Sequence, residues 1–327
     1  MFKKIFLFIA TILAATSAST GYGAPDFLKG EVNVTTFLDW FNNAHKYVHV
    51  NGLIVLDLIP AIFLIIQAGL FFKEGLKIKG ILTVLALLVN LIGVFLLVQF
   101  AYPIASQIVS WTPDNLPSEW ISIKDEWFKF HGLYGLMGVV GWLFFVITYF
   151  VPARNTGVKK LPRVLNFFKN AVLFFLTFIM GMGVAGLYEY CFLPFHQEIS
   201  GVTFIEMHRP LDLAIRAVGP YLFAFIVFLQ LLLATLLFME KSKHKVWLII
   251  LSLVFLLCDT FIALTYNRPL NDLFLTWTPT SIPANWSVLR DEWLNYHFYR
   301  NIFKALGAAA ILLVFFTQKD KREPQPL

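Results

Sequence analysis

Long apolar runs recur through the whole chain, and they leave it few ways to fold. Eight can be read, approximately Ile5–Thr20, His49–Phe72, Gly80–Ala101, His131–Val151, Phe168–Tyr188, Ile215–Met239, Val246–Tyr266 and His297–Phe316. A helix of roughly 20 apolar residues crosses the hydrocarbon core of a bilayer. In that medium each backbone N–H and C=O must be satisfied within the segment, which selects helix. Hydrophobic residues make up 58% of the chain and charged ones 14%, against about a quarter charged in soluble domains. The expectation is an all-α, multi-pass membrane protein of eight transmembrane helices that contacts membrane lipid.

The runs fall into two sets of four, and the loops between them carry a second pattern. Pro103–His131 aligns without a gap on Pro269–His297, 166 positions later. That offset pairs Trp111 with Trp277, Pro113 with Pro279, Pro117 with Pro283 and Trp120 with Trp286. It also pairs Asp125-Glu126-Trp127 with Asp291-Glu292-Trp293, and His131 with His297. Tryptophan and histidine are rare, so matches at one offset point to a tandem duplication. The expected organisation is a four-helix membrane repeat over residues 1–153, a basic linker over 154–168, a second repeat over 169–317 and a polar tail over 318–327.

The net charge of +6 does not indicate nucleic acid. Lys73, Lys77 and Lys79, then Arg154, Lys159, Lys160, Arg163 and Lys169, then Lys241, Lys243 and Lys245 occupy alternate short loops. Lys3 and Lys4 precede the first run, and Lys319, Lys321 and Arg322 follow the last. The positive-inside rule makes that side cytoplasmic, so both termini are expected in the cytoplasm of a cell-membrane protein, with both Trp-rich loops outside. Met1–Ser19 also reads as a signal peptide. The offset, however, sets it opposite Asn170–Gly186 in mid-chain, which favours a retained first helix. Cys191 and Cys258 form no disulfide or metal spacing. Gly181, Gly183 and Gly186 suit close helix packing, while Glu189, His196, Glu198, Glu206 and His208 read as an acidic outer loop.

Ionisable groups within the runs are functional candidates, since each is costly in a bilayer. His45 and His49 stand four apart, on one helical face, with Asp57 roughly 12 Å further along it. Paired histidines at this spacing can ligate a metal, with His131 at similar depth. The other reading is a polar start to the second helix. On the eighth helix His297, Arg300 and Lys304 form one stripe, and Asp259 on the preceding helix is expected to pair with Lys304 at comparable depth. No cofactor is expected from any motif.

Around that stripe the chain reads Asn267-Arg268-Pro269-Leu270-Asn271, then Trp277, Trp286, Arg290, Trp293, Asn295, His297 and Arg300. This resembles the anthrone-oxygenase-like group of small four-helix membrane proteins over about the last sixty residues. An Asn-x-Pro-x-Asn at the end of the third helix, a loop with tryptophans and an Arg at the start of the fourth carry the likeness. The resemblance implies a cofactor-independent oxidation of an apolar polycyclic or quinol-like substrate. His297 would be its general base, with Arg300, Asn267 and Asn271 stabilising an oxyanion. The first half has Ala101, Ala105 and Tyr134 at the places of Asn267, Asn271 and Arg300, so the second half is expected to supply the site. Two other function classes stand beside it. One is a non-catalytic protein that binds or moves a lipid-like ligand. The other is a metal or haem site using His45, His49, His131 and His297.

Overall fold

The computed structural model describes residues 33–47, 57–151, 162–182 and 197–316. The first apolar run, His49, Cys191, Glu189, His196 and the 318–327 tail lie outside these residues. The regular elements among the described residues are all helices: α1 (Val34–Tyr47), α2 (Ile59–Lys73), α3 (Lys77–Leu96), α4 (Tyr102–Val109), α5 (Trp120–Phe150), α6 (Arg163–Met182), α7 (Gly201–Met239), α8 (Lys243–Ile262), α9 (Arg268–Phe274) and α10 (Trp286–Phe316). Single wide π-turns, Leu97–Ala101 and Ala263–Asn267, join α3 to α4 and α8 to α9.

Among the described residues six helices are long and apolar enough to cross a membrane: Lys77–Val109, Trp120–Phe150, Arg163–Gly181, Gly201–Met239, Lys243–Phe274 and Trp286–Phe316. Ile59–Lys73 is a shorter apolar helix. Their outward surface is apolar, as the row Ile78, Ile81, Leu85, Leu88, Ile92 and Phe95 along α3 illustrates. A soluble helix would turn such a stripe to a core, so lipid is its natural neighbour. The chain is a membrane-embedded helical protein.

Several elements run past the ends expected from the sequence. The third and seventh helices continue beyond Ala101 and Tyr266 into α4 and α9, although Pro103 and Pro269 follow. Each proline falls in the first turn after a π-turn, where its missing N–H breaks no i→i−4 bond. Helices α5 and α10 begin eleven residues before His131 and His297, their first amides held by the Pro117 and Pro283 carbonyls at 3.1 and 3.0 Å. Part of the expected outer loops is also helical. Val34–Tyr47 forms α1, and Glu206 and His208 lie in α7, which is capped by the Ser200 hydroxyl accepting from Thr203 N.

Element bounds recur at one spacing. Helices α3 and α8 start and end 166 residues apart, as do the two π-turns and the pair α5 and α10. The left-handed residues Gly75 (φ 72°) and Lys241 (φ 57°) stand at the same spacing. Each closes a helix through a bond from the next amide, Leu76 N to Phe71 O and Ser242 N to Leu237 O. Gly141 and Gly307 lie where α5 and α10 cross α3 and α8. A Cβ on Gly141 would come within 3.2 Å of the Ala86 carbonyl, and one on Gly307 within 3.6 Å of the Ser252 carbonyl. Small residues at such crossings let helices approach where lipid supplies no hydrophobic drive.

At one end α1 lies against the start of α7. Thr36 Oγ1 donates to Glu206, and Ser200 N donates to Asp39 Oδ2 at 2.8 Å. Lys46 pairs with Glu198 at 2.8 Å. Behind these bonds Phe37, Trp40, Phe41, Trp127, Phe204, Phe274 and Trp277 form one aromatic core shared by elements from both halves.

Candidate functional site

Three of the four residues singled out by sequence converge on Trp293. The buried Asn267, one residue before α9, donates through Nδ2 to the Trp293 carbonyl at 3.1 Å. Asn271, one turn on, accepts from Trp293 Nε1 at 2.6 Å. His297, one turn along α10, sets its ring 4.1 Å from the indole, centroid to centroid. The carbonyl that Asn267 caps would serve His297 N in a regular helix, so the amide reaches it from outside the turn.

The fourth residue, Arg300, continues the stripe but points to a carboxylate. Its Nε donates to Asp259 Oδ1 at 2.8 Å, with both side chains mostly buried. The sequence expectation had assigned Asp259 to Lys304. The structure seats Arg300 on it instead, and Lys304 donates to Asn301 Oδ1 at 3.3 Å. Both bases lie on one stripe, and spacing along the helix does not decide between them. The planar guanidinium reaches the acid laterally.

Sequence reasoning missed the groups that hold this cluster. The buried Asp212 accepts from Asn271 Nδ2 at 2.9 Å and from Arg216 Nε at 2.6 Å. Arg216 also reaches Asp272 at 2.6 Å, and Arg268 reaches Asp272 at 3.4 Å. Two acids and two arginines alternate, so the chain of charges is neutral, running from the buried Asp212 to the exposed Asp272 and Arg268. An acid and an arginine four apart at the head of an apolar run, Asp212 and Arg216, was the available signal. His208, read as part of a solvated loop, is buried in α7. It stacks on Phe204 at 5.5 Å and meets Trp293 edge-on at 5.1 Å, and its Nε2 is buried without a hydrogen-bond partner. The Trp293 ring therefore has an imidazole from α7 and another from α10 as neighbours. Asn267 Oδ1 is likewise buried and unpartnered.

The Trp-rich segment is clamped from α7, where Arg209 donates to the Leu275 and Trp277 carbonyls at 3.1 and 2.7 Å. Arg290, also in the sequence pattern, is buried. It packs its guanidinium 4.7 Å over Trp286 and pairs with Asp291 at 2.9 Å. Lys124, 166 residues earlier, packs over Trp120 at 5.6 Å and pairs with Asp125 at 3.4 Å. These two bases anchor helix starts and do not enter the cluster around Trp293.

The remaining histidines do not meet there. His45 is in the last turn of α1, stacked on Phe41 at 5.9 Å, and does not open the second helix. His131 stacks on Trp127 at 4.7 Å. Among the described residues no group of three or more His, Cys, Asp or Glu is arranged to hold a metal ion, and His49 lies outside them. Glu119, ahead of α5, is an exposed carboxylate held below its usual range by the Ser118 hydroxyl. It acts at the helix entrance, away from these side chains.

No protein-family model, curated protein or solved structure matches the chain.

Proposed function

We propose that the cluster around Trp293 holds a flat apolar molecule with an acidic hydroxyl or C–H, of the phenol or quinol class, and that His297 takes its proton. The observation that carries this reading is the convergence of Asn271, His208 and His297 on the Trp293 indole, with Asn267 on its backbone carbonyl, within the apolar helices. An indole offers a flat ligand a stacking surface, and an imidazole beside it is a base of suitable strength. The neutral Asp259–Arg300 pair, one turn beyond His297, places a positive group near the anion that forms. The resemblance to the anthrone-oxygenase-like group suggests dioxygen as the electron acceptor for that anion.

A second reading, a non-catalytic holder of a lipid-like molecule, rests on a different observation. Each donor assigned to the anion is already bonded within the protein: Asn267 to Trp293, Asn271 to Asp212 and Arg300 to Asp259. Detergent-purified protein mixed with anthrone under air tests both readings. The catalytic reading expects oxygen uptake that falls about a hundred-fold or more in His297→Gln, the scale of a lost general base. Binding of anthrone without uptake supports the holder, and no binding contradicts the catalytic reading.

The same proposal includes the architecture: two copies of one four-helix unit, eight spanning helices, both termini cytoplasmic and the Trp-rich loops outside the cell membrane. The 166-residue spacing of helix bounds, π-turns and left-handed residues supports the duplication. Cysteines placed at Ser118 and Ser281 should both react with an impermeant thiol reagent from outside. Labelling from the cytoplasmic face alone would reverse the topology.

A further inference from the structure

The first half carries a carboxyl group in a setting unlike that of its counterpart in the second. Tyr134 stands 166 residues before Arg300, and its hydroxyl lies 3.0 and 3.2 Å from the two oxygens of Asp57. Arg300 likewise bonds an acid, Asp259. Asp259 is on α8, however, and the residue 166 before it is Gly93, where an added Cβ would lie 3.4 Å from Tyr134. Asp57 reaches Tyr134 from another helix, just ahead of α2. Each half thus brings one acid to the same position of its last described helix. Among the described residues only the second half answers it with a cation.

A phenol donates a hydrogen bond but does not neutralise a carboxylate. Among the described residues the titratable groups around Asp57 are Tyr134 and, one turn earlier, His131 on α5, together with Tyr102 on α4, whose phenol feels the Asp57 charge. His131 Nδ1 is buried without a hydrogen-bond partner. Among the described residues no lysine or arginine pairs with Asp57. Tyr134 sits one turn inside the apolar stretch that begins at His131, about 5 Å along the helix. An uncompensated carboxylate is costly at such a place and marks a working group. Carrying a proton removes the charge and leaves one oxygen to accept from Tyr134.

We propose that Asp57 and Tyr134 form a proton-binding site in the first half of the chain, at which the carboxyl group takes up and releases one proton. The site is independent of any substrate at Trp293, and it gives the first half a task beyond scaffolding.

Infrared difference spectra of the whole protein in lipid bilayers, recorded between acidic and alkaline buffer, test this directly. The expected result is the carbonyl stretch of a protonated acid in apolar surroundings, appearing with falling pH and absent from Asp57→Asn. Tyr134→Phe should keep the band and move it to higher frequency, because the carbonyl loses its hydrogen-bond donor. A band unchanged in Asp57→Asn, or no such band in the parent protein, overturns the proposal. If Asp57→Asn cannot be purified folded, Tyr134→Phe decides alone, and an unmoved band overturns the assignment.

Discussion

Replacing Arg300 by leucine should destabilise the protein far more than its own contacts suggest. The arginine side chain is 18% exposed and that of Asp259 10%, so solvent screens the pair little. Removing the cation leaves an acid buried among apolar helices, which costs about 3–5 kcal/mol. At about 1.4 kcal/mol per factor of ten, that is a hundred-fold or greater change in the folded ratio. Removing both charges should restore most of this, since a buried pair replaced by apolar residues is often neutral. The assay is reversible unfolding in mixed micelles, followed by far-ultraviolet circular dichroism, for Arg300→Leu, Asp259→Leu and the double variant. If the double variant is as unstable as the sum of the singles, the pair carries no coupling and the assignment of Asp259 to Arg300 fails. The result also bears on function, because lost activity in Arg300→Leu alone would partly report lost fold. The double variant separates the two.

Four further substitutions probe the rest of the framework in the same unfolding assay. Asn271→Leu strands the Trp293 N–H and one oxygen of Asp212, at a cost of about 2–4 kcal/mol for two buried groups. An effect below the error of measurement would show these bonds to be dispensable. Lys241→Gly relieves a left-handed residue at φ 57° and should stabilise by about 1 kcal/mol. Destabilisation would mean that its side chain holds the turn. Gly141→Ala forces a methyl to within 3.2 Å of the Ala86 carbonyl and should cost about 1–3 kcal/mol, whereas Gly69→Ala, with open space around it, should be neutral or better. Equal effects would refute close packing at the α3–α5 crossing.

What the sequence made legible was governed by composition over long windows. The apolar stretches around 80–101, 131–151, 215–239, 246–266 and 297–316 all lie within membrane-length helices, because bilayer thickness constrains a whole segment. Helix ends were less legible. The apolar runs end at Ala101 and Tyr266, just ahead of Pro103 and Pro269, yet a π-turn lets each helix continue, and no single residue announces a π-turn. His297 read as a helix start because the apolar run begins there, while the backbone had turned helical at Trp286. The site was half legible. Asn267, Asn271 and His297 stood out as polar groups in an apolar setting, but nothing in the sequence marked Trp293 as their shared partner. Asp212 and His208 lay in a segment read as loop, and the choice of Arg300 for Asp259 depends on lateral reach between helices, which spacing along one helix does not encode.

The central claim is that the indole of Trp293, and not its counterpart Trp127, faces the ligand. Fluorine NMR of protein carrying 5-fluorotryptophan tests it, with both resonances assigned by Trp293→Phe and Trp127→Phe variants and anthrone titrated in under nitrogen. A saturable shift of the Trp293 resonance, with Trp127 unmoved, is the predicted result. A shift of Trp127 alone, or of neither, would contradict the claim.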